Sequence, residues 1–399
     1  PLIRVAEVMA QKYDVVVTNP PYMGGANMDA RLSEFVKKHY PDTKSDMSTV
    51  MMERTLRMCE PNGFMAMINI PVWMFLSSYE KLREHLIAEN TIINMVHPGR
   101  GIFGSDFGTT SFVIGKSHVP GYMGSYCRLF DKQGEVQSIE EREQAFLSGK
   151  GRYTAQQSNF SKIPGSPVAY WVSEKLLKDF TTGEILKKCG DTRQGMATSD
   201  NNRFLRLWFE VVNNKIGIGC TNSDDAIRSM KKWFPYNKGG EFRKWYGNID
   251  YTVNYENDGY EVKGYAASLY KTASRTIKSM SEYFKPCLSW SKISSGSIAF
   301  RFYPEGFVFD VAGCCIFYKD NATMMYDFGF LNSVVAKQIL SAISPTLNYE
   351  AGHIASMPVI REKNHYNQTI IFVEGNIHIS EKDWDSYETS WDFKRHPLV

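Results

Sequence analysis

The 399-residue sequence has no apolar run approaching the roughly 18 residues that a membrane-spanning helix needs. It has no Cys-x-x-Cys pair either. Its seven cysteines (Cys59, Cys127, Cys189, Cys220, Cys287, Cys314 and Cys315) are odd in number and scattered. That pattern argues against a zinc framework and against a disulfide scaffold, so no metal is expected and a reducing cytoplasm fits best. A strong charge imbalance is also missing, and a net charge of +3 is too small to require a nucleic-acid partner. No signal peptide is readable at Pro1-Leu2-Ile3-Arg4. A first residue that is not methionine, followed almost at once by a core strand, reads as a piece of a longer chain. Hydrophobic content of 43% and charged content of 22% describe an ordinary globular protein, and the length predicts two domains.

The most informative stretch runs from Tyr13 to Tyr22. Tyr13-Asp14-Val15-Val16-Val17-Thr18 is a short β-branched run that suits a strand buried on both faces of a parallel sheet. Asn19-Pro20-Pro21-Tyr22 then stops it, because neither proline can donate a ladder hydrogen bond and each holds its predecessor extended. A stiff loop at the carboxyl end of a strand is where open α/β sheets place their ligands. It offers a carboxamide, a main-chain carbonyl at Pro20 and an aromatic face. Together these can grip a flat heterocycle carrying an exocyclic amine.

Further along, periodicity predicts a helix over 47–58, a strand over 64–70, and a helix over 79–88 capped by Ser77-Ser78. Two more strands follow at 92–96 and 111–114, joined by a glycine-rich connection holding Phe103 and Phe107. Lys44-Ser45-Asp46 reads as a solvated loop. The polar segment 121–163 reads as a linker between a first domain at 1–120 and a second at 164–399. Within the second, residues 231–248 interleave Lys231, Lys232, Lys238, Arg243 and Lys244 with tryptophan, tyrosine and phenylalanine rings, Trp245 and Tyr246 among them. Cations neutralise phosphates and rings stack on bases, so this stretch is the candidate DNA contact.

Asn19-Pro20-Pro21-Tyr22 at a strand end resembles the signature of S-adenosyl-L-methionine-dependent methyltransferases that modify amino groups, the DNA adenine-N6 group in particular. The second half is similar to the target-recognition domain of type IIG restriction-modification and PglX-like BREX phage-defence methyltransferases. The residues that carry this likeness are Phe234-Pro235-Tyr236-x-Lys238-Gly239-Gly240-Glu241-x-Arg243-Lys244-Trp245-Tyr246-Gly247-Asn248, Leu331-Asn332-Ser333, Pro345-Thr346-Leu347-Asn348-Tyr349 and 382–393. The resemblance implies an α/β fold, the C-terminal half of a class I (Rossmann-like) methyltransferase sheet followed by an α+β target-recognition domain. It implies double-stranded DNA and other phage-defence proteins as partners, with no membrane involved. It also implies that the flipped adenine stacks on Tyr22, with Phe103, or else Phe107, on its other face. Asn19 would also sit beside the cofactor, whose main site belongs upstream of the 18 residues that precede it. Gly99-x-Gly101-x-x-Gly104 is a weak match to a dinucleotide loop, because a strand and not a helix follows it. Two other readings of the same tetrapeptide stay open: methylation of a glutamine amide in proteins, and a DNA-recognition or scaffolding component in which methylation is secondary.

Overall fold

The computed structural model describes residues 2–102, 108–131, 135–294, 297–396 and 398. Two compact units emerge, the first comprising 1–181 with 341–346 and the second 182–340 with 347–399.

The first unit is built from α1 (Leu2–Ala10), β1 (Tyr13–Thr18), α2 (Ala30–His39), α3 (Met47–Met58), β2 (Cys59–Asn69), α4 (Glu80–Glu89), β3 (Thr91–Arg100), β4 (Gly108–Gly115), β5 (Met123–Arg128), α5 (Ile139–Leu147), β6 (Arg152–Gln156) and α6 (Glu174–Thr182). The strands form one six-stranded sheet in the order β1-β2-β4-β3-β5-β6. β1 runs parallel to β2, and β3 parallel to β5. β4 inserts antiparallel between β2 and β3. Strands β1, β2, β3 and β5 therefore all end at the same edge of the sheet. Met65, Met67, Met95, Phe112 and Ile114 fill the sheet's centre, and Trp73, Leu82 and Leu86 cover it.

Three expectations are corrected here. Residues 121–163 are not a linker. They contribute β5, α5 and β6, and the units divide near residue 181. β1 is not buried on both faces. It is the sheet's edge among the described residues, with Val16 packed inward while Val15 and Val17 are 56% and 72% exposed. Ser77-Ser78 do not cap α4. They lie in a short 3-10 turn, and Tyr79 occupies the N-cap without a side-chain bond.

The second unit holds β7 (Glu184–Ile185), β8 (Gly190–Arg193), α7 (Asn201–Phe204), β9 (Leu205–Leu207), α8 (Ser223–Arg228), β10 (Trp233–Asn237), β11 (Tyr251–Asn254), α9 (Glu256–Tyr270), β12 (Cys287–Ser291), β13 (Phe300–Tyr303), β14 (Val308–Phe309), β15 (Gly313–Tyr318), α10 (Asn321–Leu331), α11 (Val334–Ile343), α12 (Ala351–Ala355), β16 (Pro358–Val359) and α13 (Tyr366–Trp384). Residues 341–343 of α11 fall in the first unit. Two four-stranded sheets, β14-β10-β11-β9 and β13-β12-β15-β8, enclose an aromatic-rich core. Phe234, Phe284, Tyr255 and Tyr283 meet there edge to face, the preferred geometry for ring quadrupoles. All seven cysteines are free thiols. Among the described residues no helix is long and apolar enough to cross a membrane, and no cluster of metal-ligating side chains forms.

Candidate active site

The carboxyl edge of the first sheet gathers the chemistry. β1 pairs with β2 from Val15↔Phe64 to Thr18↔Met67, so the chain leaves the sheet at Asn19 opposite the end of β2. The two prolines then hold the loop extended. Pro20 is buried, Tyr22 is half-buried, and Asn19 and Pro21 are exposed. The Tyr22 hydroxyl donates to the Asn19 side-chain oxygen at 2.8 Å and approaches the Ile68 carbonyl at 3.4 Å. A carboxamide oxygen carries two lone pairs, so Asn19 keeps one for a second donor. Burial raises the Tyr22 pKa, which keeps the phenol neutral and donating.

A second segment holds this loop from the side. Gly25 N–H donates to Ser45 O and Met47 N–H to Met23 O, both at 2.9 Å, and Gly24 bridges Asp46. Asp46 is 8% exposed and is the N-cap of α3. Its Oδ1 accepts from Ser48 N at 2.9 Å and from Ser48 Oγ at 2.6 Å. Lys44 and Ser45 are exposed in a turn, as expected of a solvated loop, whereas Asp46 is buried because it satisfies orphan donors of a helix packed on the sheet. At the end of β2, Asn69 is fully buried. Its Oδ1 accepts from Ile70 N at 2.7 Å, and its carbonyl accepts from Thr110 Oγ1 at 3.2 Å.

Further along the same edge, β3 breaks register with β4 between Val96 and Gly99. Gly99 has φ of +82°, and a Cβ there would stand 2.9 Å from the Phe130 ring, so only glycine fits without displacement. His97 beside it is 3% exposed, with Tyr170 Oη 3.3 Å from its Nδ1 and Phe130 edge-on at 4.8 Å. Burial, assisted by the nearby Arg128 charge, lowers its pKa to about 3, so it is a neutral packing residue. Phe103 and Phe107 lie outside the described residues.

The stretch 231–248 behaves differently from its sequence reading. Trp233–Asn237 is strand β10, and Phe234, Tyr236 and Tyr246 are buried core rings that cannot stack on a base. Its cations also have partners within the fold. Lys231 donates to Asn214 O. Lys232 faces Glu261 at 3.5 Å and Glu256 at 3.8 Å. Lys238 pairs with buried Asp310 at 2.6 Å. Arg243 pairs with Asp383 at 3.1 Å and lies over the Trp384 ring, and Lys244 donates to Asn332 O at 2.7 Å. Trp245 packs on Phe328, and its N–H and carbonyl bond Phe300 O and Phe302 N. The interleaved pattern is a structural hub. Partners far away in sequence, such as Asp310 and Asp383, are what a local reading misses.

Residues 3–103 match the Eco57I restriction-modification methylase family. All of the chain aligns with the adenine-specific methyltransferase PglX of Lacticaseibacillus casei (strain Zhang) at 39% identity, covering 33% of that protein. It aligns equally fully with the adenine-specific methyltransferase BrxX of Escherichia coli O9:H4 (strain HS) at 37%, covering 32% of it. The chain is a relative of PglX and BrxX. It spans about one third of the length of either. In fold it is similar to the type IIL restriction-modification enzyme MmeI, with a TM-score of 0.58 and 11% identity over 95% of this chain and 50% of that one. The type ISP enzyme LlaGI gives 0.55 and 11% over 95% and 36%. The α/β fold expected from the sequence is the fold that these enzymes share, and Asn19 to Tyr22 fall inside the segment matched to the methylase family.

Proposed function

We propose that the protein transfers a methyl group to the N6 amine of an adenine in double-stranded DNA. The observation that carries this reading is the paired geometry of Asn19 and Tyr22 at the carboxyl end of β1, in a chain that aligns throughout with adenine-specific methyltransferases. Asn19 Oδ1 and the Pro20 carbonyl are neutral acceptors that take the two amine hydrogens of a flipped base. As they draw those hydrogens, the nitrogen lone pair leaves conjugation with the ring and becomes available. Tyr22 supports one face of the base, and Phe103, with Phe107 as the second candidate, is assigned to the other. Catalysis rests on positioning and on hydrogen bonds that strengthen as the nitrogen gains positive charge.

Neutral acceptors with no ion-pairing side chain among them suit an amine reacting beside a cation, so Asn19, Pro20 and Tyr22 fit the acceptor side of such a site. S-adenosyl-L-methionine, when bound, supplies an electrophilic methyl on a sulfonium. Asn19 is the residue of this chain assigned to lie next to it. The protein would serve a BREX-type phage-defence system in the cytoplasm, together with partner proteins.

Incubating the full-length protein with labelled S-adenosyl-L-methionine and duplex DNA, then digesting to nucleosides, tests the assignment. N6-methyl-2′-deoxyadenosine from the DNA is expected. Label found instead on protein glutamine would transfer the site to the other amide- and amine-methylating reading. Tight DNA binding with methylation only in the presence of partner proteins would favour a recognition component.

A further inference from the structure

Resting on the reading of this protein as a DNA methyltransferase, we infer that the second unit grips the DNA backbone through the face formed by α9, the turn after it and Arg203. On this view the interleaved stretch 231–248 is not the grip. Between residues 262 and 281 the sequence carries four cations, Lys263, Lys271, Arg275 and Lys278, and no Asp or Glu. Serine and threonine recur between them, and hydroxyls together with cations are the side chains that contact phosphates. The cations are spaced three to eight residues apart among small residues, which is why they do not read as a charge run.

The structure separates three of these cations, Lys271, Arg275 and Lys278, from their acidic surroundings. Glu256 and Glu261 face Lys232, Asp258 holds Lys263 at 2.6 Å, and Glu282 pairs with Lys285 at 3.1 Å. These four acids are therefore matched within the fold. Lys271, Arg275 and Lys278 are exposed, and no ion pair joins them to a described residue. The Arg203 guanidinium is likewise exposed and forms no ion pair with a described residue. It is held in place by rings, 5.0 Å from the Phe204 centroid and 5.1 Å from that of Tyr265. Arg275 rests in the same way on Tyr270, at 5.2 Å. Ring contacts orient a guanidinium while leaving its five N–H donors unused.

The shape of the face suits a backbone. α9 anchors itself through buried Val262 and Ala266. Its outer side forms part of an open cleft of about 850 Å³ lined by Arg203, Lys263, Gly264, the 77%-exposed Tyr260, and the carboxylates Asp258 and Glu261, which pair with Lys263 and Lys232. Nothing lies within 4 Å of where a Cβ on Gly264 would stand, so a sugar-phosphate strand can approach the helix closely. By contrast, each cation between 231 and 248 already has a partner.

The test is fluorescence anisotropy of the full-length protein with a labelled random-sequence duplex across a salt series. It compares the wild type with K271Q/R275Q/K278Q, with R203Q, and with a matched control, K319Q/K337Q/K363Q, that removes three exposed cations elsewhere. The face variant should bind about ten-fold or more weakly at low salt. Its log–log salt slope should be shallower by about 0.9 for each phosphate that is no longer neutralised. R203Q should show the same effect on a smaller scale, and the control should stay within about two-fold of the wild type, all with unchanged melting temperatures. Salt-sensitive wild-type binding that the face variant retains, or loses only as much as the control does, would overturn this inference and leave the methyltransferase reading standing. Absence of salt-sensitive duplex binding by the wild type would overturn both.

Discussion

Replacing Lys238 with alanine distinguishes a structural hub from a DNA contact. Lys238 Nζ sits 2.6 Å from Asp310 Oδ2, and Asp310 is 1% exposed. The same carboxylate accepts the Tyr236 hydroxyl at 2.7 Å and the Ala312 N–H at 2.7 Å. The Met196 carbonyl oxygen also lies 2.8 Å from the Tyr236 hydroxyl, which sets the network against the core. Removing the lysine leaves a buried carboxylate with two hydrogen bonds and no counter-charge. Breaking a buried ion pair in this one-sided way costs about 3–5 kcal/mol, and the quarter exposure of the Lys238 side chain lowers that to about 2–3 kcal/mol. In a unit of this size that corresponds to a melting temperature lower by roughly 5–10 °C. Differential scanning fluorimetry and urea denaturation read it directly. Asp310→Asn in combination with Lys238→Ala should cost less than the sum of the two single changes, because the second removes a charge that the first left stranded. A Lys238→Ala protein with unchanged melting temperature and weakened duplex binding would refute the reasoning and return this residue to the DNA interface.

Three further expectations follow from the same physics. Gly247→Ala should destabilise the second unit by about 2 kcal/mol or more, because φ is +115° and a Cβ would stand 2.4 Å from Arg243 Cδ and 2.8 Å from Trp384 Cε3; thermal denaturation checks it. His97, with a folded pKa lowered to about 3, is neutral when native but takes up a proton in the unfolded chain below about pH 6.5. Its contribution is therefore complete above that pH and is lost as pH falls towards 3. The loss should reach about 2 kcal/mol at pH 5, and His97→Gln should flatten the acid limb of a stability–pH curve. Tyr22→Phe keeps the ring but removes the donor to Asn19 Oδ1, so methyl transfer should fall several-fold while duplex affinity holds, as steady-state kinetics and anisotropy would show.

How much of the fold and the site is legible depends on whether the signal is local. The strand before Asn19, the strands at 64–70, 92–96 and 111–114, and the helix at 47–58 follow from β-branched runs, proline stops and apolar spacing. Each coincides with an element of the structure to within a few residues. β5 and β6 read as linker because Met123–Arg128 and Arg152–Gln156 carry no apolar run. Pairing to β3 makes β5 a strand, and pairing to β5 makes β6 one. The sequence overstates the burial of β1 because a β-branched run reports propensity and not which neighbours cover it. In the second half, the spacing of rings and cations at 231–248 looks like an interface because the sequence does not display Asp310 or Asp383 beside it. Lys271, Arg275 and Lys278, which form no ion pair with a described residue, look ordinary for the same reason. Electrostatic availability is a property of partners, and those are set by the fold.

The central claim rests on Asn19. Single-turnover methylation of duplex DNA by the full-length protein, with the wild type compared against Asn19→Ala, tests it most directly. Losing the acceptor that draws on the amine should lower the rate by about 10²-fold or more while DNA affinity stays within about two-fold. An Asn19→Ala protein that methylates adenine at close to the wild-type rate would contradict the account.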